Sequence, residues 1–482
     1  MHYKPDHNPN PYRNLRYIGI QTLGILAILI AVLMGNTEIK ALEAPKEQLW
    51  IVYTLWWITA LAGYAASFFA ELLSYLREFR PKYIPEIILV VGAISWSYSI
   101  WWTENAEIVY LTVCTGLLLW QRQFTLSNIG VVHWACIIYV LTTAIGALWS
   151  EYPERGAHFT EKQLMLILLP LSAGILSLSK EQVLRISWVI LRLSLSVLVL
   201  QILVYLYLVT VYSGGVLDGL TINKFYLKAF PHTTIYNILM PWAHMEHPSY
   251  HLLFFSAPWA SIIALSSSLR KNLRLELGLY YLFLIIFTFI TQARYGFWVI
   301  GLLPLLALSS YIKGIRSSTK LRYMLGIIVA TILIGTIYYL YQHNVFSDGP
   351  RLEMFAYAIE HIKRYGIFGA GSGTDYTLIM ERFGHPHSHN SFLSVALDTG
   401  IIGVVAMLAL VCSTIYAAVK YHNRAILYWM LLLLPMILID SPFYVYQVIP
   451  PMALYFLLLG GNHLADSGKE VGKSPVVSPP IQ

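Results

Sequence analysis

Long apolar runs rather than an alternating pattern dominate this chain from near its start to about residue 460. Stretches such as IGIQTLGILAILIAVLMG and YYLFLIIFTFI show no polar residue at every second position, unlike the strands of a membrane β-barrel. A helix needs about 20 apolar residues to cross a bilayer, and inside lipid only a helix or a closed barrel satisfies its own backbone. The runs predict spans at about 15–35, 49–75, 84–102, 106–121, 128–149, 163–179, 183–212, 249–269, 277–293, 296–312, 323–342, 391–418, 425–440 and 443–460. The expected fold is therefore all-α: a polytopic transmembrane helical bundle of about 12–14 spans, forming one domain over 1–460. The first run is followed by Ala-Leu-Glu-Ala at 41–44, but it is longer than the apolar core of a secretory signal and is read as a helix. Residues 461–482, ending KSPVVSPPIQ, are polar and Pro-containing and predict a disordered tail.

Composition agrees with residence in lipid, since 57% of the residues are hydrophobic and 12% charged. Charge then supplies orientation. Twenty of the 32 Lys and Arg residues fall on one side of this arrangement, eleven on the other, and Arg192 lies within a span, where it is expected to snorkel towards the cytoplasm. Both termini come out cytoplasmic, and the two longest loops, 213–248 and 343–390, face outward. The net charge of +7 is explained by this asymmetry and by anionic headgroups, so no nucleic acid partner is implied. Cys114, Cys136 and Cys412 all fall in apolar runs and make no disulfide framework.

Polar residues that solubility does not require collect in the loop 343–390 and its flanks, SDGPRLEMFAYAIEHIKRYGIFGAGSGTDYTLIMERFGHPHSHNSFLSVALDTGIIG. The segment predicts an amphipathic helix around 351–364, a glycine-rich turn, and a histidine cluster that leads into a membrane helix. Gly366, Gly369, Gly371 and Gly373 lack a preceding strand and a following P-loop Lys-Ser/Thr, so they are read as permitting a sharp turn rather than as cradling a nucleotide. His385, His387 and His389 alternate, and in an extended stretch their imidazoles would face one way. That pattern fits a metal site, with Asp375, Glu381 or Asp398 as a fourth ligand, an ordinary interfacial loop, or a general base, because imidazole accepts protons near neutral pH.

These segments resemble the O-antigen ligase and polymerase superfamily, which also contains O-linked oligosaccharyltransferases. The resemblance rests on HSHNSFL at 387–393 with Asp398, Gly400 and Gly403, on the preceding PRLEMFAYAIEHIKRYGIFGAGSG, on TQARYGFW at 291–298, and more weakly on WSEYPERG at 149–156. It implies transfer of a glycan from an undecaprenyl diphosphate carrier to an acceptor hydroxyl at the outer face of the bacterial inner membrane. In ligases the acceptor is a sugar of the lipid A core, and in polymerases it is another carrier-linked repeat unit. The resemblance implies no metal and no cofactor. By position, His389 or its neighbour His387 is the essential histidine and Arg294 binds the diphosphate.

Family ligases carry a further arginine in an earlier outer loop. The comparable region here, YNILMPWAHMEHPSYHLL, has none, only Lys224 and Lys228 upstream and His244, His247 and His251 within it. His247 is the candidate taken for that contact, although Glu246 and His247 before Pro248 also suit a helix cap. The chemistry supports basic residues independently. A diphosphate leaving group gathers charge as the glycosidic bond breaks, and guanidinium groups meet it with paired hydrogen bonds. Arg294, in a very short turn between two apolar runs, and Arg351 are the best placed; a headgroup anchor is the alternative for Arg294. Lys363, Arg364 and Arg382 read as a solvated basic rim. Asn390 is assigned to the site with the histidines, either fixing an imidazole or capping the helix that begins near Ser391.

Two other function classes remain for comparison. A lipid flippase or transporter suits many spans but places ionisable residues inside them and shows repeated halves. A non-catalytic scaffold gives no reason for HPHSHN beside an arginine-bearing loop.

Overall fold

The computed structural model describes residues 84–89, 100–176, 178–212, 248–266, 271–291, 293–314, 349–445 and 448–461. Among the described residues the chain is helical and contains no strand. The expected spans at 15–35, 49–75 and 323–342, most of the loop 213–248 with His247, and the tail from 462 lie outside the described residues. The chain divides into two compact units, one of Met1–Val113, Arg185–Ile262 and Ser266–Val345, the other of Cys114–Leu184, Ile263–Leu265 and Phe346–Gln482.

The helices are α1 Ile100–Gln121, α2 Val131–Gly146, α3 Pro153–Gln163, α4 Met165–Ser172, α5 Lys180–Tyr212, α6 Pro248–Leu265, α7 Lys271–Thr291, α8 Arg294–Gly314, α9 Gly349–Tyr365, α10 Thr374–Phe383, α11 Ser391–Lys420, α12 Arg424–Ile439 and α13 Ile449–Leu459; of the described residues in the expected span 163–179, only Met165–Ser172 is α-helical after the break at Leu164. Among the described residues, two segments, Val131–Trp149 and Ser391–Lys420, are long and apolar enough to cross a membrane, and α12 and α13 are shorter apolar helices. The final predicted span, 443–460, is helical only from Ile449, after a turn at 442–444. Cys114, Cys136 and Cys412 are free thiols.

In the first unit, α7 and α8 form a tight hairpin. Only residues 292 and 293 separate Thr291 from Arg294, and Gly296 lies so close to Thr288 that a Cβ there would meet its side chain. Arg192, expected to snorkel, is ion-paired instead, and Arg185 on the same helix is paired as well. Arg192 of α5 meets both carboxylate oxygens of Glu276 of α7, at 2.7 and 3.3 Å, and its guanidinium lies 5.5 Å from the Trp188 ring centroid. Arg185 meets the buried Glu86 at 2.9 Å. A charge held between helices is stabilised more strongly by a fixed carboxylate than by reaching for water, which is why pairing replaces snorkelling.

The second unit holds the histidine stretch. Its α11 packs along α2 and α12, α13 packs on α4, and α9 crosses α11. Local contacts set these helices in register: His133 of α2 bonds the Phe456 carbonyl at 2.9 Å, Gln163 donates to the Phe443 carbonyl, and Trp429 stacks on Tyr455 with centroids 4.8 Å apart. The controlling feature is a break in α11 at Gly400, whose φ of 64° and ψ of −152° are open to glycine but not to a helix. At 1.5 Å per residue the twenty residues after Gly400 span about 30 Å, one hydrocarbon thickness. The 16 residues of antiparallel α12 rise only about 24 Å. Yet the Ser391 N–H donates to the carbonyl of Asp440, just beyond the end of α12, at 3.1 Å. A straight α11 would overshoot that point, so its first nine residues turn off the axis of the rest and bring the histidine stretch down onto the end of α12.

Candidate functional site

The glycine-rich turn fills the break in α11. Ala370 and Gly371 donate their N–H groups to the carbonyls of Leu397 and Asp398, at 2.8 and 2.7 Å, which the kink has left without helical partners. Gly369 and Gly400 face each other so closely that a Cβ on either would strike the other strand of chain, and one on Gly371 would strike the Ser150 backbone. The turn is thus a plug made possible by missing side chains, in line with the conformational reading. WSEYPERG is its outer wall: Trp149 donates its indole N–H to the Phe368 carbonyl at 3.3 Å, Ser150 donates to the Ser372 carbonyl at 2.7 Å, and the Glu151 N–H donates to the Ala370 carbonyl.

Asp398 is occupied by this architecture and is not gathered with the histidines. Its carboxylate oxygens accept the Gly373 and Asp375 N–H groups at 2.9 and 2.8 Å, capping the start of α10 from a neighbouring helix. Asp398→Ala is expected to destabilise the fold by about 2–4 kcal/mol, because two buried N–H groups lose their acceptor. Thermal unfolding of the solubilised protein measures this, and an unchanged midpoint would remove the capping role. Asp375 is fully buried on α10, with its Oδ2 accepting the Ser388 N–H at 3.2 Å. Loss of solvation pushes its carboxyl up to about 6, against the lowering effect of hydrogen bonds from Ser394 and Ser388. Asp375 therefore pins the backbone between His387 and His389. Glu381 is exposed on α10.

The imidazoles converge, though not through an extended strand. His389 has a left-handed φ of 54°, and its N–H points at His387 Nδ1 across 3.3 Å. The ring centroids of His385 and His387 lie 5.3 and 4.7 Å from that of His389. A left-handed non-glycine residue is strained, and such strain gathers at functional sites. The His387 side chain is 6% exposed and that of His389 15%, while His385 is on the surface.

Both inner histidines face one carboxylate oxygen that the sequence reading did not single out. Asp440 Oδ1 lies 3.5 Å from His387 Nε2 and 3.4 Å from His389 Nδ1, with Asp440 itself 5% exposed. The same oxygen accepts the Ser441 N–H at 2.8 Å, which fixes its orientation. The available signal was an acidic residue ending an apolar run, LLLLPMILID, in a chain whose spans hold few carboxylates. His387, His389 and Asp440 together offer three ligand atoms within 4.8 Å of one another, a grouping that a divalent ion could occupy.

Asn390 caps α11 and does not orient an imidazole. Its Oδ1 accepts the Phe392 and Leu393 N–H groups at 3.0 and 3.1 Å, and its Nδ2 donates to the Leu438 carbonyl at 2.9 Å. Arg351, half-buried in the first turn of α9, donates to the Ile439 carbonyl at 3.3 Å, one residue from Asp440. Arg294 is exposed at the first residue of α8 in the other unit. A cation at the positive end of a helix is electrostatically disfavoured, so its position there is not a device for helix stability. The site thus brings together His387, His389, Asp440 and Arg351.

Apolar helices, two of them long enough to cross a membrane, thus carry an imidazole–carboxylate cluster with a guanidinium bonded one residue away from its carboxylate. Residues 279–408 match the family described as O-antigen ligase, consistent with the resemblance of these same segments to the O-antigen ligase superfamily. The matched stretch includes Arg294, Arg351 and the histidines and stops short of Asp440. No curated protein matched the chain.

Proposed function

We propose that the protein is an O-antigen ligase that moves a glycan from undecaprenyl diphosphate to a hydroxyl of the lipid A core. The reaction takes place at the periplasmic face of the bacterial inner membrane, with both termini in the cytoplasm and neither metal nor cofactor engaged. The observation that supports this reading best is the convergence of His387 and His389 on the single buried oxygen of Asp440, beside Arg351. In this mechanism His389 accepts the proton of the acceptor hydroxyl as its oxygen bonds to the anomeric carbon. The bond from that carbon to the diphosphate oxygen breaks, and the electron pair leaves with the carrier diphosphate. Asp440 stabilises the imidazolium that forms, in the manner of a carboxylate behind a catalytic histidine. Arg294 and Arg351, with His247 from the earlier outer loop, bind the diphosphate and meet its growing charge. His387 shares Asp440 and supports the base.

The other members of the superfamily, polymerases and O-linked oligosaccharyltransferases, differ in acceptor and not in this chemistry, while a flippase would translocate its lipid without consuming the glycosidic link. A deletion strain distinguishes them. Loss of polymer from lipid A with carrier-linked polymer retained is the expected result. Single-repeat chains on lipid A would mean a polymerase. Reporter fusions after residues 320 and 420 should read cytoplasm and one near 375 the outside; a cytoplasmic reading near 375 would sink the scheme, since the donor sugar would lie on the wrong side.

A further inference from the structure

Away from the histidines, the loop layer of the second unit gathers tyrosines around carboxylates. Tyr152 follows the Trp149–Glu151 wall, Tyr357 and Tyr365 stand on α9, and all three are half-buried. The Tyr365 hydroxyl donates to Glu151 Oε2 at 3.2 Å. Tyr152 lies within the field of Glu381 and Glu151 and next to Tyr357; burial first, and then these charges, raise its phenol above its ordinary value. Tyr365 is raised likewise, by burial and then by Glu151. The Tyr357 ring is fixed from behind by His361, with centroids 4.2 Å apart, and by the edge of Phe383 at 5.5 Å. Among the described residues neither Glu151 nor Glu381 has a basic ion-pair partner.

A structural role explains this arrangement poorly. The Tyr365 hydroxyl accounts for one oxygen of Glu151, but not for the placing of an exposed Glu381 near Tyr152 or for a half-buried Tyr357 ring held between His361 and Phe383. These groups do suit a ligand that presents hydroxyl donors at its edge and a C–H face to an aromatic ring. That is the surface of a pyranose: its equatorial hydroxyls donate to carboxylates, and its axial C–H face lies against a ring fixed in place. The position is also suitable. α10 runs from Asp375, which pins Ser388 between the two inner histidines, to Phe383, which packs on Tyr357. Its ten residues span about 15 Å, so the tyrosines stand a few sugar units from the imidazoles.

We propose that Tyr152, Tyr357 and Tyr365, with Glu151 and Glu381, form a sugar-binding subsite that holds a pyranose ring of the glycan at a distance from the reacting bond. The idea rests on the glycan-transfer reading, and it adds where chain selectivity resides. Binding at a remote sugar is the same in the ground and transition states, so its loss raises KM and leaves kcat nearly unchanged.

The test uses the full-length protein in detergent carrying His389→Ala, so that binding is read without turnover. Saturation-transfer NMR is recorded with two probes from the producing strain, delipidated core oligosaccharide and the repeat-unit oligosaccharide, with glycerol as control polyol. Transfer to the ring C–H protons of one oligosaccharide and none to glycerol is expected. Adding Tyr152→Ala and Tyr357→Ala should weaken that binding by about tenfold, while Tyr152→Phe and Tyr357→Phe, which keep the rings, should weaken it less. Glu151→Gln with Glu381→Gln should weaken it by about threefold to tenfold. Binding unchanged in the folded Tyr→Ala protein, or no transfer to either sugar from the folded parent, would overturn the subsite. Sugar binding that is lost in the Tyr→Ala protein, in an enzyme that never releases carrier diphosphate, would keep the subsite and reject the reaction instead.

Discussion

His389→Ala is expected to lower glycan transfer by about a hundred- to ten-thousand-fold, the loss typical of a general base. Its Nδ1 lies 3.4 Å from Asp440 Oδ1, and the backbone on either side is held by Asp375 through Ser388 and by Asn390 through the start of α11, so the imidazole is pre-positioned before substrate arrives. Asp440→Asn should follow His389→Ala in direction with a smaller loss, because the amide keeps the shape and the hydrogen bond from Ser441 but not the charge that stabilises an imidazolium. His387→Ala should be intermediate, since the ring shares Asp440, and His385→Ala should matter little. Asn390→Ala should impair transfer through its lost cap and show a lowered unfolding temperature that His389→Ala does not. Rates are compared at matched membrane abundance. The metal reading gives a different pattern: EDTA would abolish transfer and one divalent ion would restore it, whereas a base leaves activity intact in chelator. Near-normal transfer by His389→Ala with a dead His387→Ala would move the assignment by two residues, and normal transfer by both would end the mechanism.

Arg294→Ala is expected to abolish transfer while the protein still accumulates, folded, in the membrane. Arg294 is exposed where α7 turns into α8, so truncation removes no packed core. Arg294→Lys should rescue only in part, because an ammonium cannot reproduce the planar, two-pronged contact of a guanidinium with a diphosphate. Release of carrier diphosphate from a lipid-linked glycan, measured in vesicles, is the readout. Full activity in both variants would return Arg294 to the role of a headgroup anchor. Arg351 provides the comparison: its guanidinium is already bonded to the Ile439 carbonyl, so Arg351→Ala should cost activity and also disturb the segment that carries Asp440.

Much of the chain could be read from sequence for a physical reason. Apolar runs near the length of a bilayer crossing can satisfy their backbone only as helices, and the helices α2, α5, α6, α8, α11 and α12 begin and end within a few residues of the runs that predict them. The histidine stretch was legible because His385, His387 and His389 lie within five residues of one another, so no fold is needed to bring them close. Glycine spacing likewise marked a turn, since several glycines in eight residues free the backbone whatever surrounds them.

Tertiary structure alone decided what these residues face. Asp440 lies 51 positions after His389, and their meeting depends on the break at Gly400, which lowers the start of α11 onto the end of α12. Asp398 was one of the candidate partners for the histidines with Asp375 and Glu381, but the orphaned N–H groups at the start of α10 take both its oxygens. Arg192 found Glu276 across two helices instead of reaching for water. Periodicity and composition record how each segment satisfies its own backbone and its exposure to lipid, and those are local demands. Which carboxylate meets which base is settled by a helix break and by packing between segments far apart in the chain, where a few ångströms of offset exchange one partner for another.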